Sequence, residues 1–140
     1  MPAFSQHDVK PSERISRYIF RKDHFNPRTG RVRPPVYEPA RPKNESDSYK
    51  TSVYRTEKLN DGEIWDIGDN YVTKEHPEHL PSLARADTQI QKVADAELKI
   101  DPDGIPHPRH ANIIGWPDSD EARQIKRALL AQSAQLVLRS

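Results

Sequence analysis

Residues 107–110 read His-Pro-Arg-His and residues 76–79 read His-Pro-Glu-His. An imidazole titrates near neutral pH and serves as general acid or base, and a guanidinium grips phosphate or carboxylate through two parallel hydrogen bonds. His107 and His110 are therefore the candidate catalytic residues, with Arg109 between them as an anion-binding group. Arg17 and Arg55 join Arg109 as anion-binding candidates. Each lies in a segment expected to be a core strand, where a charge needs a reason to be placed. Such a set suits nucleotide or phosphodiester chemistry, and it suits anion binding without turnover equally well.

The same spacing argues against a metal. Histidines three apart share a face only on a helix, and Pro106 and Pro108 exclude a regular helix there. The pair is not the i, i+4 arrangement of a metalloprotease. His76 and His79 carry the same proline interruption. Nothing forces the two loops together, so no metal and no cofactor are expected. The plainer reading makes His76 and His79 exposed loop residues and His110 a hydrogen-bonded residue at a strand entrance. The chain has no cysteine, which removes disulfides, thiolate sites and cysteine nucleophiles. No phosphate-binding glycine loop and no GxSxG elbow occurs, and the serines form no recognisable triad. Asp101 and Asp103, in Asp-Pro-Asp-Gly, read as turn formers.

The elements that would position these residues are short. Ile15, Tyr18 and Ile19 mark a strand or a single helical turn. Thr51–Thr56 alternates as a strand, with Val53 and Arg55 on one face and Tyr54 on the other. Asn60 and Glu63 have the spacing of a capping box ahead of a helix carrying Ile64 and Ile67, with Gly68 as its stop. Residues 74–82 read as a polar loop. From Asp87, as N-cap, a helix with Ile90 and Val93 on one face is expected, and Leu98 and Ile100 suggest a short strand. Residues 110–115 are a strand buried through Ile113 and Ile114. The last helix follows Pro117, with Ala122, Ile125 and Leu129 on its inner face, and its tail exits as an edge strand. The expected core is Val53, Ile64, Ile67, Ile90, Val93, Ile113, Ile114, Ile125 and Leu129.

Short strands mixed with helices, without regular alternation, predict an α+β fold: a small mixed or antiparallel sheet, two or three helices and a proline-rich N-terminal arm. The 140 residues fit one domain. The expected organisation is a flexible lead over 1–12 and a single domain over 13–140, with a long proline-rich loop at about 26–50. Apolar residues are 34% of the chain and charged residues 31%, against the usual ~45–50% apolar, so a modest core is expected. No run approaches a membrane span and no secretory signal opens the chain, so a cytoplasmic setting with no membrane contact is expected.

A net charge of +1 hides an asymmetry: residues 1–43 hold ten Lys/Arg against four Asp/Glu. Arg21, Arg28, Arg31 and Arg33 interleave with Phe20, Phe25 and Tyr37, a pattern that can follow a phosphate backbone and stack on bases. Three function classes follow. The first is a small binding or accessory protein with an anion-attracting basic surface and a protein partner. The second is a nucleotide- or phosphodiester-processing enzyme built on the His/Arg group. The third is a nucleic-acid binder acting through the basic arm.

Overall fold

The computed structural model describes residues 9–44, 46–75, 78 and 80–139. His76, His79, residues 1–8 of the expected lead, and Ser140 lie outside the described residues. The fold is α+β: the described residues form a six-stranded antiparallel sheet, a two-stranded sheet and three α-helices. The large sheet comprises β1 (Arg14–Ile19), β4 (Thr51–Arg55), β5 (Ala84–Gln89), β6 (Lys99–Asp101), β7 (His110–Ile114) and β8 (Gln135–Leu138). Their order across the sheet is β6-β7-β4-β1-β5-β8. The helices are α1 (Asp61–Ile67), α2 (Ile90–Asp95) and α3 (Asp120–Ser133).

Side chains alternate across each strand, so the sheet has two chemically distinct faces. Ile15, Ile19, Val53, Ala84, Ala86, Ala111 and Ile113 build the main core, closed by Val36, Tyr37, Val93 and Leu130. The opposite face carries a smaller apolar cluster, Tyr18, Tyr54, Ile64 and Ile67, under α1. Next to that cluster runs a buried polar chain. Asp87 accepts hydrogen bonds from Ser16 Oγ (2.6 Å) and Arg85 Nε (3.1 Å), and Arg85 reaches Asp61 at 2.7 Å. Buried polar groups are tolerable when they satisfy one another.

The proline-rich stretch is folded onto the core. Phe25–Asn26 (β2) and Arg31–Val32 (β3) form a hairpin, and Pro34–Tyr37 makes a tight turn that buries Val36 and Tyr37. Asn60 and Glu63 form the full reciprocal capping box of α1.

Several local expectations need correction. Gly68 is the C-cap of α1, but it does not end the helix by a left-handed turn. It keeps right-handed geometry (φ −58°) and the chain continues as a wider turn over Gly68–Val72. A side chain there would meet the Tyr18 ring at 2.7 Å, so close approach is what the glycine permits. Asp87 caps nothing, because it lies inside β5, and α2 begins after Gln89. Ile114 is half-buried. Ile125 and Leu129 are not core residues: they are 60% and 47% exposed. The inner face of α3 is Arg123, Leu130 and Ala131, with Arg123 stacked on Tyr49 and donating to the Pro117 carbonyl. Long arginine stems here cover apolar surface that branched residues were expected to cover.

Candidate functional site

Two adjacent strands and one turn build the site. Strands β4 and β7 pair antiparallel with Ser52 opposite Asn112 and Tyr54 opposite His110. All four side chains share the α1-side face. His110 starts β7, its N–H bonded to the His107 carbonyl at 2.9 Å, which ends the proline-interrupted approach. The turn before it is set by Gly104, at φ +68°, a left-handed conformation that favours glycine. The Gly104 N–H donates to the His110 carbonyl at 3.1 Å, and this folds Asp103 back beside the His110 ring.

The result is a continuous hydrogen-bonded chain. His110 Nε2 lies 2.6 Å from Ser52 Oγ, and His110 Nδ1 lies 2.6 Å from Asp103 Oδ1. A carboxylate only accepts, so Nδ1 carries a proton, and in the neutral ring Nε2 is left to accept from the serine hydroxyl. The second Asp103 oxygen accepts from Asn112 Nδ2 at 2.9 Å, which fixes the carboxylate plane. His110 is 8% exposed, whereas the Asp103 side chain keeps about a third of its surface. The Tyr54 ring packs edge-on to His110 at 5.2 Å and to His107 at 6.2 Å. Burial, aided by the charges of Glu75 and Asp103, pushes the Tyr54 phenol up to about 12, so it stays protonated at neutral pH.

The sheet opens beside Ser52. The β1–β4 ladder runs through Ile15–Arg55 and Ser16–Tyr54 and then stops, whereas β1 stays paired with β5 along its length. Arg17 reaches across the gap. Its Nη1 donates to the Ser52 carbonyl at 2.8 Å and its Nε to the Val36 carbonyl at 2.9 Å. A pocket of about 150 Å³ occupies this opening, with Arg17, Ser52 and Tyr54 in its wall together with Arg21 and His24.

The remaining sequence-derived candidates are spread out. His107 sits beside the relay without joining it. Its Nδ1 accepts the Arg109 N–H at 3.0 Å, and burial first, then Arg109, pulls its titration below the usual value. Arg109 spends its guanidinium on the carbonyls of Arg55 and Glu57. Arg55 forms an ion pair with Glu13 at 2.9 Å. Arg21, Arg28, Arg31 and Arg33 are exposed on or near the β2–β3 hairpin, and Arg21 pairs with Asp23. Of the rings interleaved with them, Phe25 and Tyr37 are buried and Phe20 is half-buried. Among the described residues no three His, Asp or Glu side chains converge as metal ligands, and no helix is long and apolar enough to cross a membrane.

Sequence reasoning missed Ser52 and Asp103. The available signals were slight: a serine two residues before Tyr54 in an alternating strand, and an Asp-Gly turn seven residues ahead of a histidine. Compared with protein-family models, with curated proteins and with solved structures, the chain matches none.

Proposed function

We propose that the chain is a small-molecule hydrolase with Ser52 as nucleophile, His110 as general base and then acid, and Asp103 as the carboxylate that orients the ring. One observation carries this reading: the unbroken Ser52–His110–Asp103 chain, with both links at 2.6 Å, whose Ser52 end lines a pocket. A serine nucleophile, a histidine base and an orienting carboxylate recur on unrelated folds as one way of activating serine. Ser52 Oγ attacks an acyl carbonyl as its proton passes to His110 Nε2. The tetrahedral adduct expels the leaving alcohol, which takes that proton. Water then attacks the acyl-serine, delivers a proton to His110, and the proton returns to Ser52 as the acid departs. Asp103 stabilises the imidazolium formed on the way. At about 150 Å³ the pocket is smaller than the ~300–1,000 Å³ of drug-sized sites, so the bound group has few heavy atoms.

A serine-directed fluorophosphonate tests the reading. Ser52 Oγ would displace fluoride, and peptide mass spectrometry would find one phosphonyl adduct on Ser52. The adduct should vanish in Ser52→Ala and form much more slowly in His110→Gln. Absence of any adduct on the folded protein, or an adduct that Ser52→Ala leaves in place, removes the relay as a catalyst.

A second reading, an accessory protein that docks on a protein partner, draws on the exposed Ile125 and Leu129 of α3. Aromatic anchors give it little support, because Trp116 is buried and Trp65 is half-buried beneath Arg85 and Arg139. An Ile125→Asp/Leu129→Asp variant that retained every wild-type pull-down partner would rule this docking face out.

A further inference from the structure

Arg17 stands apart from most of the cations around it. Arg55 pairs with Glu13, Arg21 with Asp23, Arg85 with Asp87 and Asp61, and Arg139 with Asp69. Among the described residues no carboxylate pairs with Arg17. Its two hydrogen bonds go to neutral carbonyls, and neither uses Nη2. The residue is half-buried in the middle of a sheet, where an uncompensated charge is costly. Burial pulls its titration below the usual arginine value, with Tyr37 close enough to act on it electrostatically. The Tyr37 hydroxyl is itself buried without a hydrogen-bond partner.

The pocket beside Arg17 is electrostatically one-sided. Its ionisable wall residues with basic side chains are Arg17, Arg21 and His24, and no aspartate or glutamate lines it. Asp23 offsets Arg21 at the exposed rim, which leaves Arg17 as the inner charge. A guanidinium with a free terminal nitrogen, in a small opening with low-dielectric walls, is an oxyanion receptor.

We infer that the opening between β1 and β4 binds a compact oxyanion, a phosphate or carboxylate group, on Arg17, and that the ester hydrolysed at Ser52 carries this group. The second half rests on the Ser52 relay. Oxyanion binding at Arg17 stands by itself. Arg17 enters the opening from the main-core side of the sheet and Ser52 Oγ lies on the α1 side, with Arg17 Nη1 on the Ser52 carbonyl between them. Both residues line the same opening, so an ester that spans the gap would meet both. The apolar wall from Ile19, Val36 and Val72 excludes a large hydrated ligand.

The test is a titration of the isotopically labelled protein, following the arginine Nε–H resonances, with inorganic phosphate in one arm and acetate in a second. Sodium chloride at matched ionic strength is the control. The expected result is a saturable shift of the Arg17 resonance in at least one oxyanion arm, the responding arm identifying the group. Chloride should produce no such shift. The exposed Arg28 and Arg31 should move little. Arg17→Met should abolish binding and Arg17→Lys retain part of it, and the wild-type titration decides the matter even if Arg17→Met fails to fold. A flat Arg17 resonance in both arms, or equal shifts at all exposed arginines, overturns the site. In parallel, the responding oxyanion should slow fluorophosphonate labelling of Ser52 several-fold. Saturable binding with an unchanged labelling rate overturns the link to the nucleophile. Absence of any labelling in the control removes the hydrolase reading and leaves oxyanion binding to the titration.

Discussion

Ser52 and His110 are diagonal neighbours, not ladder partners. Ser52 faces Asn112 and His110 faces Tyr54, yet the Ser52 hydroxyl and His110 Nε2 are 2.6 Å apart. Diagonal side chains on a sheet face lie within reach of one another only when one is long. The imidazole supplies the length, and Tyr54, packed edge-on to it, keeps the ring leaning toward Ser52. Asn112, opposite the serine, is then free to hold the far oxygen of Asp103. Four residues of one antiparallel pair and one turn residue thus make a self-consistent polar cluster.

The proton on His110 Nδ1 is fixed by Asp103, and this gives a sharp expectation for Asp103→Asn. The amide cannot accept from both His110 and Asn112 while matching the old geometry. With its oxygen toward Asn112, its NH2 faces Nδ1 and forces the ring proton onto Nε2. That nitrogen then no longer accepts the serine proton. Fluorophosphonate labelling of Ser52 should fall by roughly 10⁴-fold, the loss typical of a triad histidine held in the wrong tautomer. Thermal stability should change far less. An unchanged labelling rate would mean that Asp103 does not set the tautomer.

Asp87 and Arg85 form the most deeply buried ion pair described, with side chains 9% and 2% exposed. Asp87→Asn leaves Arg85 with the solvent-facing Asp61 as its remaining carboxylate. The expected cost is about 3 kcal/mol, the lower end for unpairing a buried charge, because Asp61 still offsets part of it. The double variant Arg85→Met/Asp87→Leu should lie closer to wild type than the single variant. Urea unfolding monitored by Trp65 and Trp116 fluorescence measures both.

Much of the framework was legible because it is local. The capping box at Asn60 and Glu63, the alternation through Val53 and Tyr54, and the apolar Ile113 in β7 each follow from spacing within a few residues. Strand β5 was not legible. Its residues Ala-Arg-Ala-Asp-Thr-Gln look polar, and their burial depends on Arg85 and Asp87 neutralising each other at i, i+2 on one face. The candidate site was half legible. His110 was found by chemistry at a strand entrance, and Arg17 by a charge inside an apolar segment. Ser52 and Asp103 become meaningful only through the β4–β7 register and the Gly104 turn, which are 58 and 7 residues from His110 in their hydrogen-bond separations.

The phase of α3 yields a direct comparison between neighbours. Leu130 is fully buried and Leu129 is 47% exposed. Leu130→Ala should cost about 2–5 kcal/mol through lost burial and the cavity left behind. Leu129→Ala should stay within about 1 kcal/mol, since much of its side chain already meets water. Equal losses in denaturant midpoint would mean that the helix is rotated relative to the described packing.

His107 gives the pH dependence. Its Nδ1 accepts the Arg109 N–H, a bond that protonation at that nitrogen would destroy, and its ring packs against Tyr71 at 4.9 Å. Burial, then the nearby Arg109 charge, lowers its folded-state titration below the ordinary 6.5. Below 6.5 the unfolded chain therefore binds a proton that the folded chain resists, so folding stability must fall as pH drops. The contribution is intact above the unfolded value and is lost as pH falls from about 6.5 through the folded value. His107→Asn removes the titration while offering Oδ1 as acceptor for the same N–H. The stability difference between wild type and this variant should shift against the wild type as pH falls through that window, and comparing the two cancels the parallel contribution of His24, which burial also lowers. Equilibrium urea curves at about half-unit steps from pH 7.5 to 5 read the difference. A difference that stays constant across those steps would show that the Arg109–His107 bond does not couple protonation of the ring to folding.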